Sequence, residues 1–129
     1  MPTPHPIPIF QDNIVWVIEL SDHQCVIVDP GESQPVIDFC AQRGWQPCAI
    51  LITHHHPDHV GGVQELVAKY PVPVYGPSRG PAHCTDIVND ADRISVGKQA
   101  TEFAVLATPG HTLDHLCYWG HGCLFCGDT

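Results

Sequence analysis

The sequence predicts an α/β domain built on a mixed sheet with helices on one face. Three observations predict it. Short apolar runs rich in β-branched residues recur along the 129 residues. Two amphipathic stretches of helical period fall between them. Each run ends at a cluster of Gly, Pro, Asp or Asn. The order strands, helix, strand, helix, strands then implies a mixed sheet. Its strands read as continuous apolar runs without alternation, so both faces of the sheet need cover. Helices supply cover for one face, and the other calls for a further layer.

Ile14–Leu20 and Cys25–Val28 are apolar runs separated by a polar turn, Ser21-Asp22-His23, and read as a strand hairpin. Asp29-Pro30-Gly31 ends the second strand. Ser33 as cap and Pro35 in the first turn announce a helix. Val36, Ile37, Phe39 and Cys40 form its apolar stripe, and Gly44 stops it. Ala49–Ile52 reads as a buried strand. A histidine-rich loop follows, and Pro57 keeps it from being regular throughout. A second helix is predicted from about Val60 to Lys69, closed by Pro71. Val72–Tyr75 is a short strand, and 76–91 reads as loop with room for a short helix. Ile94–Val96 and Glu102–Ala107 read as strands. Thr108–His111 is a turn, and Leu116–Trp119 pairs with Cys123–Cys126 around Gly120-His121-Gly122.

Five basic residues face fourteen acidic ones, a net charge of −9. That excludes a nucleic-acid partner, which needs a basic surface. A small anionic substrate is still compatible, because local cations or metal ions can hold it. No apolar stretch is long enough to span a membrane, and no signal-peptide pattern opens the chain. With seven cysteines, an odd number, the expectation is a reduced, cytoplasmic protein with free thiols. The composition leaves the oligomeric state open.

The chemistry concentrates in Thr53-His54-His55-His56-Pro57-Asp58-His59, directly after a buried strand. His54 and His56 are two apart, so extended backbone points both to one side. Pro57 turns the chain, and Asp58 and His59 then face a second point. Four potential ligands of mixed nitrogen and oxygen type suit zinc, iron or manganese. The absence of cysteine from the cluster argues against a structural thiolate zinc site.

Thr53–Gly62, THHHPDHVGG, resembles the H-x-H-x-D-H signature of the metallo-β-lactamase superfamily. Val28–Gly31, Thr108–Thr112 and Phe125–Thr129 resemble its other motifs, in the same order. The whole combination is most similar to bacterial glyoxalase II, the hydroxyacylglutathione hydrolases. The resemblance implies residues 1–129 are the first half of a four-layer αββα sandwich, ending just after the fourth motif. The second half-sandwich and the helical substrate domain would then lie outside the chain. It also implies two divalent ions, zinc foremost, with iron or manganese as alternatives. His54, His56 and His111 would hold one, Asp58 and His59 the other, and Asp128 would bridge them. Asp58 and Asp128 would be the catalytic carboxylates, Asp29 a support behind the ligands, and a metal-bound hydroxide the nucleophile. The implied reaction is hydrolysis of a glutathione thioester, S-D-lactoylglutathione, to D-lactate and glutathione, as in methylglyoxal detoxification. No residue of the chain is assigned to glutathione. Other readings on the same scaffold are lactone or β-lactam hydrolysis, persulfide oxidation, and an inactive metal-binding fragment.

Some features lie outside this pattern. Asp114 stands where relatives usually carry Gly, at a turn that Asp tolerates. His115 reads as a structural, hydrogen-bonded residue. Cys123-x-x-Cys126 reads as small apolar residues in a buried strand. His5, His23, His83 and His121 read as isolated surface groups, and Trp16, Trp45 and Trp119 as core or core-edge packing. If the second half-sandwich were the missing cover, the first sheet would expose a large apolar face, and the chain would self-associate.

Overall fold

The computed structural model describes residues 3–9, 13–54, 57–77, 84–108 and 115–125. Two sheets stack face to face, with helices outside the first. The first sheet has the order β1-β2-β3-β4-β5-β6. These strands are β1 Thr3–Ile9, β2 Asn13–Glu19, β3 Gln24–Val28, β4 Gln46–Leu51, β5 Val74–Gly76 and β6 Asp86–Ile87. Strands β1, β2 and β3 pair antiparallel, and β3 to β6 pair parallel. The sheet is therefore mixed, as the sequence predicts. The second sheet is an antiparallel meander in the order β10-β9-β8-β7. It comprises β7 Arg93–Val96, β8 Thr101–Ala107, β9 Leu116–Gly120 and β10 Cys123–Phe125.

The apolar runs now have a physical reason. Val15, Val17, Cys25, Ile27, Ile50 and Ile52 belong to a core shared with the helices. The residues between them, Ile18, Val26, Val28, Ala49 and Leu51, belong to a second core with Phe103, Val105, Leu116 and Tyr118. Successive strand residues point to opposite faces, and here each face meets a hydrophobic layer. The cover for the second face thus comes from β7 to β10 of this same chain, which corrects the expected bare face on the first sheet. Among the described residues, exposed large apolar side chains are Leu106, Trp119 and Leu124 on the outward side of the second sheet, with Ile14 and Ile87 on β2 and β6 of the first. Trp119 and Leu124 are register partners on the second sheet and about half exposed, so Trp119, read from the sequence as core or core-edge packing, lies outside the core.

Helix α1, Gln34–Arg43, starts at Pro35 in its first turn and ends at Gly44 in the left-handed region, φ 69°. Ser33 holds the cap position but makes no side-chain capping bond. The predicted second helix is two pieces, α2 Pro57–Val60 and α3 Val63–Lys69. The break at Gly61-Gly62 is steric. A Cβ on Gly62 would lie 2.5 Å from the backbone carbon of Glu32, and the Gly62 N–H donates to the Pro30 carbonyl at 2.8 Å. The chain passes so close to the 30–33 loop that only glycine fits.

Strand β1 carries no strand signal in the sequence, because Pro4, Pro6 and Pro8 argue against one. It forms as an edge strand paired with β2 along its whole length. A proline nitrogen cannot donate, so the ladder to β2 uses the residues between, and the prolines face the open edge. Among the described residues, no helix is long and apolar enough to cross a membrane.

Candidate metal centre

The site lies where β3 and β4 end. Asp29 follows β3 with φ 51°, a conformation that Asp tolerates better than most residues. Its N–H donates to the Leu51 carbonyl at 2.9 Å, and its own carbonyl accepts from Gly31 N–H at 2.9 Å. The backbone thus turns the carboxylate across the end of β4. There it accepts two bonds from Thr53: the backbone N–H to Oδ1 at 2.8 Å and the hydroxyl to Oδ2 at 2.7 Å. It accepts a third at Oδ2 from His59 Nδ1 at 2.9 Å. Asp29 is 4% exposed, and a carboxylate so buried is stable only with such bonds.

These bonds set the histidine tautomers. The Thr53 hydroxyl gives its proton to Asp29, since an ionised carboxylate only accepts. The 2.9 Å contact between Thr53 Oγ1 and His54 Nδ1 is therefore an N–H donated by His54. His59 likewise donates through Nδ1. Both rings then carry their lone pair on Nε2, the form in which imidazole binds metal, with the other nitrogen tied to an oxygen. One donor atom each from Asp29, His54 and His59 lies within 4.8 Å of the others, and the two imidazole centroids are 4.2 Å apart. Asp29 uses its oxygens on Thr53 and His59, so its place in this group is that of a holder, while the two histidines offer nitrogen donors. The donor set fits a borderline divalent ion.

The second sheet closes over this corner. Leu116 N–H donates to the Thr53 carbonyl at 2.8 Å. The Tyr118 hydroxyl contacts the Ile52 carbonyl at 2.6 Å and the Tyr75 carbonyl at 3.2 Å. Burial pushes the Tyr118 phenol well above its ordinary range, so it stays protonated and able to donate. The 52–54 segment is thereby fixed from above by the strand that begins at Leu116.

Of the residues singled out by sequence, the structure brings together Asp29, His54 and His59. Asp58 falls in α2, and its side chain lies outside the described set. His56, His111, Asp114 and Asp128 also lie outside the described residues, as do His83 and Cys126. His115 is buried, with Nδ1 3.0 Å from Thr108 Oγ1, the hydrogen-bonded state that the sequence suggests. His5 is not isolated: it contacts Glu19 at 3.1 Å and packs beside Trp45. Sequence reading gave no role to Thr53 or Tyr118. Thr53 carries a signal, a hydroxyl at the strand end beside the first histidine, whereas Tyr118 sits in an apolar run that marks only a strand.

The metallo-beta-lactamase superfamily matches residues 10–129 of the chain. A hydroxyacylglutathione hydrolase of Klebsiella pneumoniae is 50% identical over 125 residues, covering 95% of this chain and 49% of its own. One of Citrobacter koseri is 51% identical over the same shares. The chain thus spans about half the length of the curated relatives it matches. Among solved structures, the BLEG-1 B3 metallo-beta-lactamase superposes with TM-score 0.79 at 24% identity, over 91% of this chain and 66% of that one. ETHE1 from Myxococcus xanthus does so with TM-score 0.77 at 25% identity, over 91% and 53%.

Proposed function

Since this chain belongs to the metallo-beta-lactamase superfamily, we propose that it is the metal-binding part of a glutathione thioesterase. The substrate class is a hydroxyacylglutathione such as S-D-lactoylglutathione, cleaved to a hydroxy acid and glutathione in the cytoplasm. The observation that carries the metal reading is the Asp29-Thr53-His54-His59 network, which fixes two adjacent imidazoles in the metal-binding tautomer. Identity of 50–51% to hydroxyacylglutathione hydrolases along 95% of the chain supports the substrate class.

In this reading His54, His56, His111, Asp58, His59 and Asp128 would hold two divalent ions, with zinc the preferred metal. Bound ions of this kind bring water to a pKa near neutrality and polarise a carbonyl oxygen. The chain's own part is positional. Asp29 holds His59 directly and His54 through Thr53, so one buried carboxylate serves both histidines. Asp58, the neighbour of His59 in sequence, would be the carboxylate that orients the water or takes its proton.

The test is metal content and S-D-lactoylglutathione hydrolysis on one purified sample, beside His54→Ala and His59→Ala variants. The expected result is bound divalent metal in the parent and its loss in both variants, with thioester turnover as the further outcome that secures the substrate class. No bound metal in the parent removes the site. Metal with turnover of a lactone or β-lactam, but not of the thioester, replaces the substrate class. Metal without any turnover leaves a binding fragment.

A further inference from the structure

A histidine ring is poorly fixed by one hydrogen bond. Rotation about its χ2 bond is broad, so a contact at Nδ1 sets one edge and leaves the plane free to tilt. The His54 ring has more than that edge. His59 lies beside it at 4.2 Å, tilted by 48°. His115 lies against it at 4.8 Å with an interplanar angle of 24°, a stacked arrangement. His115 comes from the far part of the chain, at the entry to β9, and is 1% exposed. It is anchored on several sides. Thr108 Oγ1 meets its Nδ1 at 3.0 Å, its carbonyl accepts from Thr108 N–H at 2.9 Å, and the next residue, Leu116, donates to Thr53 at 2.8 Å. His115 is not in the group of donors gathered within 4.8 Å among the described residues, which is Asp29, His54 and His59.

We propose that His115 is a positioning residue for His54: its imidazole is a flat wall that fixes the plane of the His54 ring and so the aim of Nε2. The proposal rests on the metal reading above. It assigns the wall to the flat ring, not to the volume filled or to the bond with Thr108. A flat aromatic partner restrains tilt through offset stacking, which an aliphatic side chain of similar size does not.

Two substitutions separate these roles. His115→Phe keeps the flat face and abolishes the Thr108 bond, and His115→Leu keeps much of the volume without the face. Zinc affinity is read by chelator competition, and geometry by the visible absorption of the cobalt-substituted protein. The expected outcome is that His115→Phe binds like the parent with an unchanged cobalt spectrum. His115→Leu should bind about tenfold more weakly, the lower end of the range for residues that support metal ligands, with an altered spectrum. A leucine variant that binds like the parent overturns the proposal, because filling space then suffices. A phenylalanine variant weakened as much as leucine overturns it too, because the hydrogen bond then matters. Should the leucine variant fail to fold by circular dichroism, His115→Met replaces it as the variant that keeps volume without a flat face, and is read in the same way. A parent that takes up neither zinc nor cobalt removes the metal reading itself, a failure distinct from a parent that binds and a leucine variant that matches it.

Discussion

The body of the first sheet and its carboxyl end are made by different rules. In the body, successive residues of β2, β3 and β4 go alternately to one apolar core and the other. At the end, Asp29, Thr53, His54 and His59 are buried polar groups tied by a chain of hydrogen bonds, and the buried His115 stacks on His54. An apolar site accepts any residue of suitable size and shape with modest loss. A buried polar group needs each partner at its place. The contrast teaches where the fold is forgiving and where it is exacting. Stability alone does not favour such an end, since well-packed apolar residues often serve as well. Its polar character is what a site for a cation requires.

The sharpest way to break this contrast is to truncate one residue of each kind. Asp29→Ala leaves His59 and Thr53 facing nothing and should cost about 3–5 kcal/mol in urea unfolding, with loss of bound metal. Ile27→Val, in the body, should cost about 1 kcal/mol and leave metal binding intact. Equal losses would mean that the end is no more exacting than the body. Next in size is Gly62→Ala. The added Cβ meets the backbone at Glu32, so about 1–3 kcal/mol should be lost. A neutral result would show that the 30–33 loop yields. The smallest effect is at Tyr118→Phe, which removes one bond to the Ile52 carbonyl, for about 1 kcal/mol. This variant also tests pH dependence. Burial raises the Tyr118 phenol in the folded chain, whereas an unfolded tyrosine titrates near about 10. Its contribution is therefore complete below about pH 10 and lost as the pH climbs beyond. Denaturation curves for the phenylalanine variant should fall less steeply with pH in that alkaline range.

Much of this was legible in the residues. Buried strands such as β3 and β4 announce themselves as unbroken apolar runs, and Pro35 and Gly44 bracket α1 as their backbone preferences require. The His54–His59 cluster marks itself by spacing. What escaped depends on contacts distant in sequence. Thr53 matters because Asp29 reaches it from another strand, and Tyr118 because its hydroxyl crosses from the second sheet to Ile52. The split between α2 and α3 follows from the nearness of Glu32, which the glycine pair hints at without naming. The cover over the first sheet was misplaced because β7 to β10 look like ordinary strands, with nothing to say that they form a separate sheet.

The prolines of β1 carry a consequence for how these chains meet one another. A sheet grows by strand addition when an edge offers both donors and acceptors to an incoming backbone. At the β1 edge, Pro4, Pro6 and Pro8 supply carbonyls but no N–H, so an arriving strand finds half of its ladder missing. The opposite edge, β6, is only Asp86–Ile87, too short to template a partner. Extension of the first sheet into a fibre is blocked at both ends. The exposed apolar side chains Leu106, Trp119 and Leu124 then offer a face on the second sheet as a route for association that needs no free edge of the first.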